Sequence, residues 1–266
     1  MHYIRNKHKV VIIIVVFLII ILCCLATFRY IFIKSHIVHF RNAQVELVVR
    51  QELRRIGNAS YDKNIMTWDV DKIKKLGFVE FDEIVPLPED ISDLKKLKNL
   101  ERLSIHSLNS ETKNLNILAE LPKLKKLNIN KMVKQNDQGE WIEIPIENLN
   151  FLSGAPSLEK LVVSFKGEDI SALKDMKTLK HLDIWGGELK DISILASLSN
   201  LETLEARNNN ISDITPLMCL EHLVYAGLKD NPVTKDVSYK ELWKILNERR
   251  EKKGLEIMSN EDVGIQ

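Results

Sequence analysis

Asp169, Asp191 and Asp213 recur at a spacing of 22, and carboxylates repeated at constant pitch are one way to hold calcium. Each of them also stands just before an Ile-x-x-Leu segment, where an aspartate caps the first turn of a helical piece, and that structural role accounts for the spacing without an ion. His106 and His181 have no neighbouring ligand residues in the pattern and read as solvated surface histidines. A phosphate-cradling glycine loop, a nucleophile elbow, a paired-histidine helix and a Cys-x-x-Cys are all missing. The sequence therefore assigns no catalytic residue, no metal and no cofactor. Cys23 and Cys24 lie inside an apolar run, which leaves Cys219 with no partner for an intramolecular bridge in the rest of the chain. With 38 basic against 37 acidic residues, the formal charge of +1 carries no nucleic-acid footprint.

What must position any functional side chain is the repeat itself. Ile170, Ile192 and Ile214 are 22 apart, as are Leu173, Leu195 and Leu217, and Leu179, Leu201 and Leu223. A period of this size marks a solenoid, whose units bury their apolar edges only by stacking. Within one unit, Ile192, Leu195, Leu198, Leu201 and Leu204 follow at intervals of three, and the pattern then alternates at Leu204-x-Ala206. Intervals of three fit an irregular or 3₁₀-like segment, and alternation fits a short strand. This change of period resembles the leucine-rich repeat, in the short 22-residue class similar to internalins and to phosphatase-regulator-like repeat proteins. The resemblance implies an α/β solenoid with a curved parallel sheet on the concave face, 3₁₀ or irregular structure on the convex side, and helical caps.

Six units are laid out by Leu103 and Ile105, Leu127 and Ile129, Leu161 and Val163, Leu182 and Ile184, Leu204 and Ala206, then Ala226 and Leu228. Asn209 and Asn231 stand where the family places an asparagine that satisfies backbone groups in the bend after the strand. Met132 to Glu143 is polar, contains a glycine and exceeds the repeat length, so it is expected to be a protruding loop. Val45, Leu47-Val48 and Leu53 predict a capping helix, Val70, Ile73 and Leu76 a second helical piece, and Tyr239, Leu242, Trp243, Ile245 and Leu246 a C-terminal cap.

Val10 to Phe28 holds no charge over 19 residues, long enough for a membrane helix. Arg5, Lys7 and Lys9 precede it, Arg29, Lys34 and Arg41 follow, and a basic start running straight into an apolar stretch has the form of a signal anchor with the repeats outside the cytoplasm. A cleaved signal is the competing reading, through Cys24-Leu25-Ala26, although the apolar core is long for one. The expected organisation is a basic tail (1–9), a transmembrane helix (10–28), a juxtamembrane segment (29–42), a helical cap (43–84), about six repeats (85–233) and a helical C-terminal cap and tail (234–266).

Residues flanking the strand leucines form the concave face in three columns. The first is Arg102, Lys126, Lys160, His181, Thr203 and Tyr225; the second Ser104, Asn128, Val162, Asp183, Glu205 and Gly227; the third His106, Asn130, Ser164, Trp185, Arg207 and Lys229. Trp185, Arg207 and Tyr225 are the candidate ligand contacts, with Lys160, Asp183 and Glu205 around them, because large aromatics and arginine are enriched at binding hot spots. Trp185 is expected to protrude between Lys160 and Arg207, or else to fold down over the neighbouring strand as packing. The reading is a single-pass, membrane-anchored repeat protein that binds a protein or other macromolecular ligand, with no nucleic acid and no chemical step. The alternative is a cytosol-facing regulatory scaffold.

Overall fold

The computed structural model describes residues 2–78 and 87–259. The boundary expected at residue 84 and the tail from 260 lie outside the described residues. Helix α1 runs unbroken from His2–Ser35, and its stretch Val15–Ser35 is long and apolar enough to cross a membrane, with none of it buried against the rest of the chain.

Helix α2, Ala43–Arg55, begins at Asn42, whose side chain accepts from the amides of Gln44 at 2.9 Å and Val45 at 3.1 Å. Its inward face is Val45, Val49 and Leu53, at intervals of four, while Leu47 is exposed. Val48 packs partly against the same core, so of the expected apolar residues Val45, Val48 and Leu53 face inward and only Leu47 does not. The second helical piece is also shorter than expected. Only Thr67–Val70 forms a turn, after which Lys75–Phe78 is a strand, β1, that starts the sheet.

The other strands are β2 (Arg102–Asn109), β3 (Lys126–Gln135), β4 (Trp141–Ile144), β5 (Lys160–Ser164), β6 (His181–Trp185), β7 (Thr203–Glu205) and β8 (Tyr225–Gly227). Among the described residues they make one eight-stranded sheet, parallel in the order β1-β2-β3-β5-β6-β7-β8, with β4 antiparallel on β3. Leu76, Leu103, Leu127, Leu161, Leu182, Leu204 and Ala226 are strict register partners across it, and all are buried. Alternation along each strand then sends the intervening residues to the concave side.

On the convex side 3₁₀ segments such as Ser193–Ser197 carry the leucines spaced by three into the same core. Asp169 accepts from the amide of Ser171 at 2.7 Å, Asp191 from Ser193 at 2.8 Å and Asp213 from Thr215 at 2.8 Å, the capping role expected for the aspartate row. Hydrogen bonds lower the pKa of all three carboxyls, chiefly those from the Ser171 and Ser193 amides for Asp169 and Asp191, and for Asp213 first the Thr215 hydroxyl and then its amide. Asp90 makes the same bond to Ser92 at 2.7 Å ahead of the segment Ser92–Lys96, three convex segments before the one that follows Asp169.

The insertion is not an irregular loop. β3 and β4 pair from Met132↔Ile144 to Gln135↔Trp141 as a hairpin, closed by Asn136, whose side chain accepts from the amides of Gln138 and Glu140, and by Gly139 at φ 79°. The C-terminal cap is helix α3, Val237–Lys252, which starts at Asp236 and buries Tyr239, Leu242, Trp243 and Leu246 against the last repeat. Arg249 on this helix donates to the carbonyl oxygens of Leu220 at 2.7 Å, Leu223 at 3.2 Å and Met218 at 3.2 Å, and so ties the cap to the backbone of the last repeat.

Candidate functional site on the concave face

The sheet register reproduces the first two expected columns, and of the third it pairs Ser164 with Trp185. Register pairs link Arg102↔Lys126, Lys126↔Lys160, Lys160↔His181, His181↔Thr203 and Thr203↔Tyr225 in the first, and Asp183↔Glu205↔Gly227 closes the second. The pair Lys75↔Arg102 adds a basic residue at the N-terminal end that the helical reading of this segment had hidden.

Trp185 stands at the end of β6 with 36% of its surface exposed, so part of the indole faces solvent and the rest is covered by its neighbours. Its register partner is Ser164, and the amide of the following Gly186 donates to the carbonyl of Arg207. Lys160 is not beside it. That residue pairs with His181, four positions back along β6, a separation of about 13 Å at strand rise. The expected arrangement of Trp185 between Lys160 and Arg207 is thus corrected on one side, because the two residues occupy different columns.

Arg207, Glu205 and Tyr225 form a connected group. Arg207 donates through Nε to Glu205 Oε2 at 3.0 Å and sets Nη2 2.9 Å from the same oxygen, an ion pair whose hydrogen bond raises the guanidinium's pKa. The Tyr225 hydroxyl donates to the other oxygen of the same carboxylate; burial first, and then this hydrogen bond, push its pKa up. Tyr225 also meets Trp243 of the cap edge-on, with ring centroids 6.1 Å apart. Gly227 makes the geometry available, since a Cβ there would overlap the Glu205 carboxylate. Asp183 lies half-buried one strand away, and burial followed by the Glu205 charge raises its pKa. Of the six candidates, Arg207, Glu205 and Tyr225 are thus directly joined, Asp183 and Trp185 border them on β6, and Lys160 stands apart.

His181 is half-buried and its Nδ1 lies 2.8 Å from the Thr203 hydroxyl, while His106 lies 3.4 Å from the Asn130 amide. Sequence reasoning missed the acceptor shared by Arg207 and Tyr225. Its signal, a Glu at one strand position with Gly at the next strand's equivalent, is too weak to recognise without register.

This arrangement of parallel strands, 3₁₀ backs and stacked leucines defines a leucine-rich-repeat solenoid. Residues 177–222 match the family described as Leucine Rich repeats (2 copies). A leucine-rich-repeat protein of Leptospira interrogans shares the fold, with a TM-score of 0.51, 19% identity, and coverage of 66% of this chain and 42% of that one. Internalin C2 of Listeria monocytogenes is similar at 25% identity over 72% of this chain and 85% of its own, with a TM-score of 0.49. No curated protein matches the chain.

Proposed function

We propose that this chain is a single-pass membrane-anchored leucine-rich-repeat protein that binds a protein ligand on its concave face, outside the cytoplasm, without a chemical step. The observation that carries the reading is Trp185. An indole exposed on a rigid strand, with Arg207 beside it held by Glu205, is the kind of preorganised aromatic and arginine pair from which binding hot spots are built. A stacked solenoid presents such side chains on a fixed curve, so little ordering entropy is lost on binding.

The anchor is supported by the continuity of α1 through Cys24-Leu25-Ala26, which offers no helix break for cleavage, and by how its end meets the domain. Phe32 and His36 pack with Trp68, at centroid distances of 6.4 and 5.5 Å, and Val38 donates to Ile65 at 2.8 Å. A tryptophan at the foot of an apolar helix suits the membrane–water interface.

Two measurements test the reading on intact cells. External protease should remove the repeats while sparing the helix; full protection would place them in the cytosol. A photo-crosslinker at Gly186 should capture a protein in wild type and not in Trp185→Ala. Equal capture by both would remove Trp185 from the site.

A further inference from the structure

Two neighbouring rows on the sheet treat charge in opposite ways. Just before the strands, Lys74, Glu101, Lys125, Glu159, Lys180 and Glu202 follow one another across the rim, joined by the continuing backbone ladder. This row alternates in sign and neutralises itself, with Lys74–Glu101 at 3.3 Å and Lys125–Glu159 at 3.2 Å. One residue further on, Lys75, Arg102, Lys126 and Lys160 stand directly opposite one another on β1, β2, β3 and β5, all exposed and all of one sign. Among the described residues none of these four forms an ion pair.

Like charges directly opposite on adjacent strands destabilise a sheet, here at a strand spacing of about 4.8 Å. The rim shows that alternation is available one residue away, so the uniform row is a local choice with a stability cost. Its field is felt at the next strand, where burial and then Lys160 and Lys126, against Glu202, hold the His181 imidazole below its ordinary range. Groups that oppose folding in this way gain by meeting an anion.

We propose that the row Lys75, Arg102, Lys126 and Lys160 is a binding site for an extended acidic segment of a protein, rich in Asp or Glu. The inference rests on the reading of the concave face as the ligand surface, and it names the ligand chemistry of that face's N-terminal half. Four strands span about 14 Å, the length of roughly four or five extended residues. The adjoining columns offer Ser104, Asn128, Asn130 and Ser164, neutral groups that suit peptide amides and carbonyls. They offer no Phe, Tyr or Trp, so a stacking platform for bases or sugar rings is missing from these four strands. The formal charge of +1 likewise sets this patch apart from a chain-wide polyanion field.

The test uses the full chain in non-ionic detergent micelles and a fluorescein-labelled deca-aspartate peptide, with deca-asparagine as the uncharged counterpart, read by anisotropy. Wild type should bind the aspartate peptide saturably and the asparagine peptide at least ten-fold more weakly. Arg102→Gln with Lys126→Gln should weaken aspartate binding ten-fold or more, while Lys125→Gln on the neutralised rim should change it less than two-fold. Trp185→Ala should leave it unchanged, which separates this site from the tryptophan contact: loss in that variant alone would point to the other half of the face. Equal loss in the rim variant, or dextran sulfate bound where the peptide is not, overturns the assignment. So does a lower melting temperature in the double variant together with lost binding, because the row would then be packing.

Discussion

The side-chain amide of Asn209 donates to the carbonyl of Ile184, one repeat back, at 3.1 Å. It also reaches Ala206 at 3.0 Å, while its oxygen accepts from the Leu189 amide at 3.3 Å, so one buried side chain ties two repeats together. Asn231 repeats the arrangement, donating to Ala206 at 2.8 Å and accepting from Ile211 at 3.0 Å. Asn209→Ala would remove the side-chain partner of the Ile184 carbonyl and of the buried Leu189 amide, while Ala206 keeps its bond from Asn231, and should cost about 1–3 kcal/mol. Chemical denaturation measures it; an unchanged midpoint would mean that water replaces the amide.

Leu201 and Leu204 are fully buried between stacked units. Alanine at either position should cost roughly 2–5 kcal/mol, since the neighbouring repeats are held by their own register and cannot close the cavity. A melting temperature within a degree or two of the parent would contradict the stacking.

Arg249 is the polar clasp of the C-terminal cap, and burial lowers its pKa. Arg249→Ala should destabilise by about 1.5–3 kcal/mol through the loss of charged hydrogen bonds to three carbonyls. Arg249→Lys should not restore the loss, because an ammonium cannot reproduce the fork that reaches Leu220 and Met218 together. Full rescue by lysine would show that charge alone suffices there.

Asp183 gives a pH dependence of known sign. Its folded pKa is raised, first by burial and then by Glu205, so between the ordinary aspartate range and that raised value the native state binds more protons than the unfolded one. Stability therefore falls as pH rises through this window, and the penalty persists at neutral pH. Asp183→Asn should melt higher than wild type at pH 7, with the difference vanishing below the ordinary aspartate range. A lower melting point at pH 7 would mean that the carboxylate is held by a favourable partner.

Trp185→Ala should leave the melting temperature within about two degrees while weakening ligand binding by roughly 2 kcal/mol or more. A strong fall in stability with affinity retained would return the indole to packing and direct attention to the β3–β4 hairpin.

The repeat period, the strand leucines, the aspartate caps and the asparagine bends were legible in the residues alone, because each follows from local geometry repeated at a constant offset. So were the first two columns, since strand alternation decides which side chains face outward. What lay beyond the sequence came where the period breaks. Lys75–Phe78 reads as the end of a helical piece, yet β2 offers an unpaired edge, and pairing with it outweighs a weak local preference. The hairpin from Met132 to Ile144 depends on β3 continuing past its repeat, a choice made by cross-strand bonds. The position of Lys160 relative to Trp185, and the meeting of Arg207 and Tyr225 on one Glu205 carboxylate, are matters of register between strands, and register is set by how whole units stack.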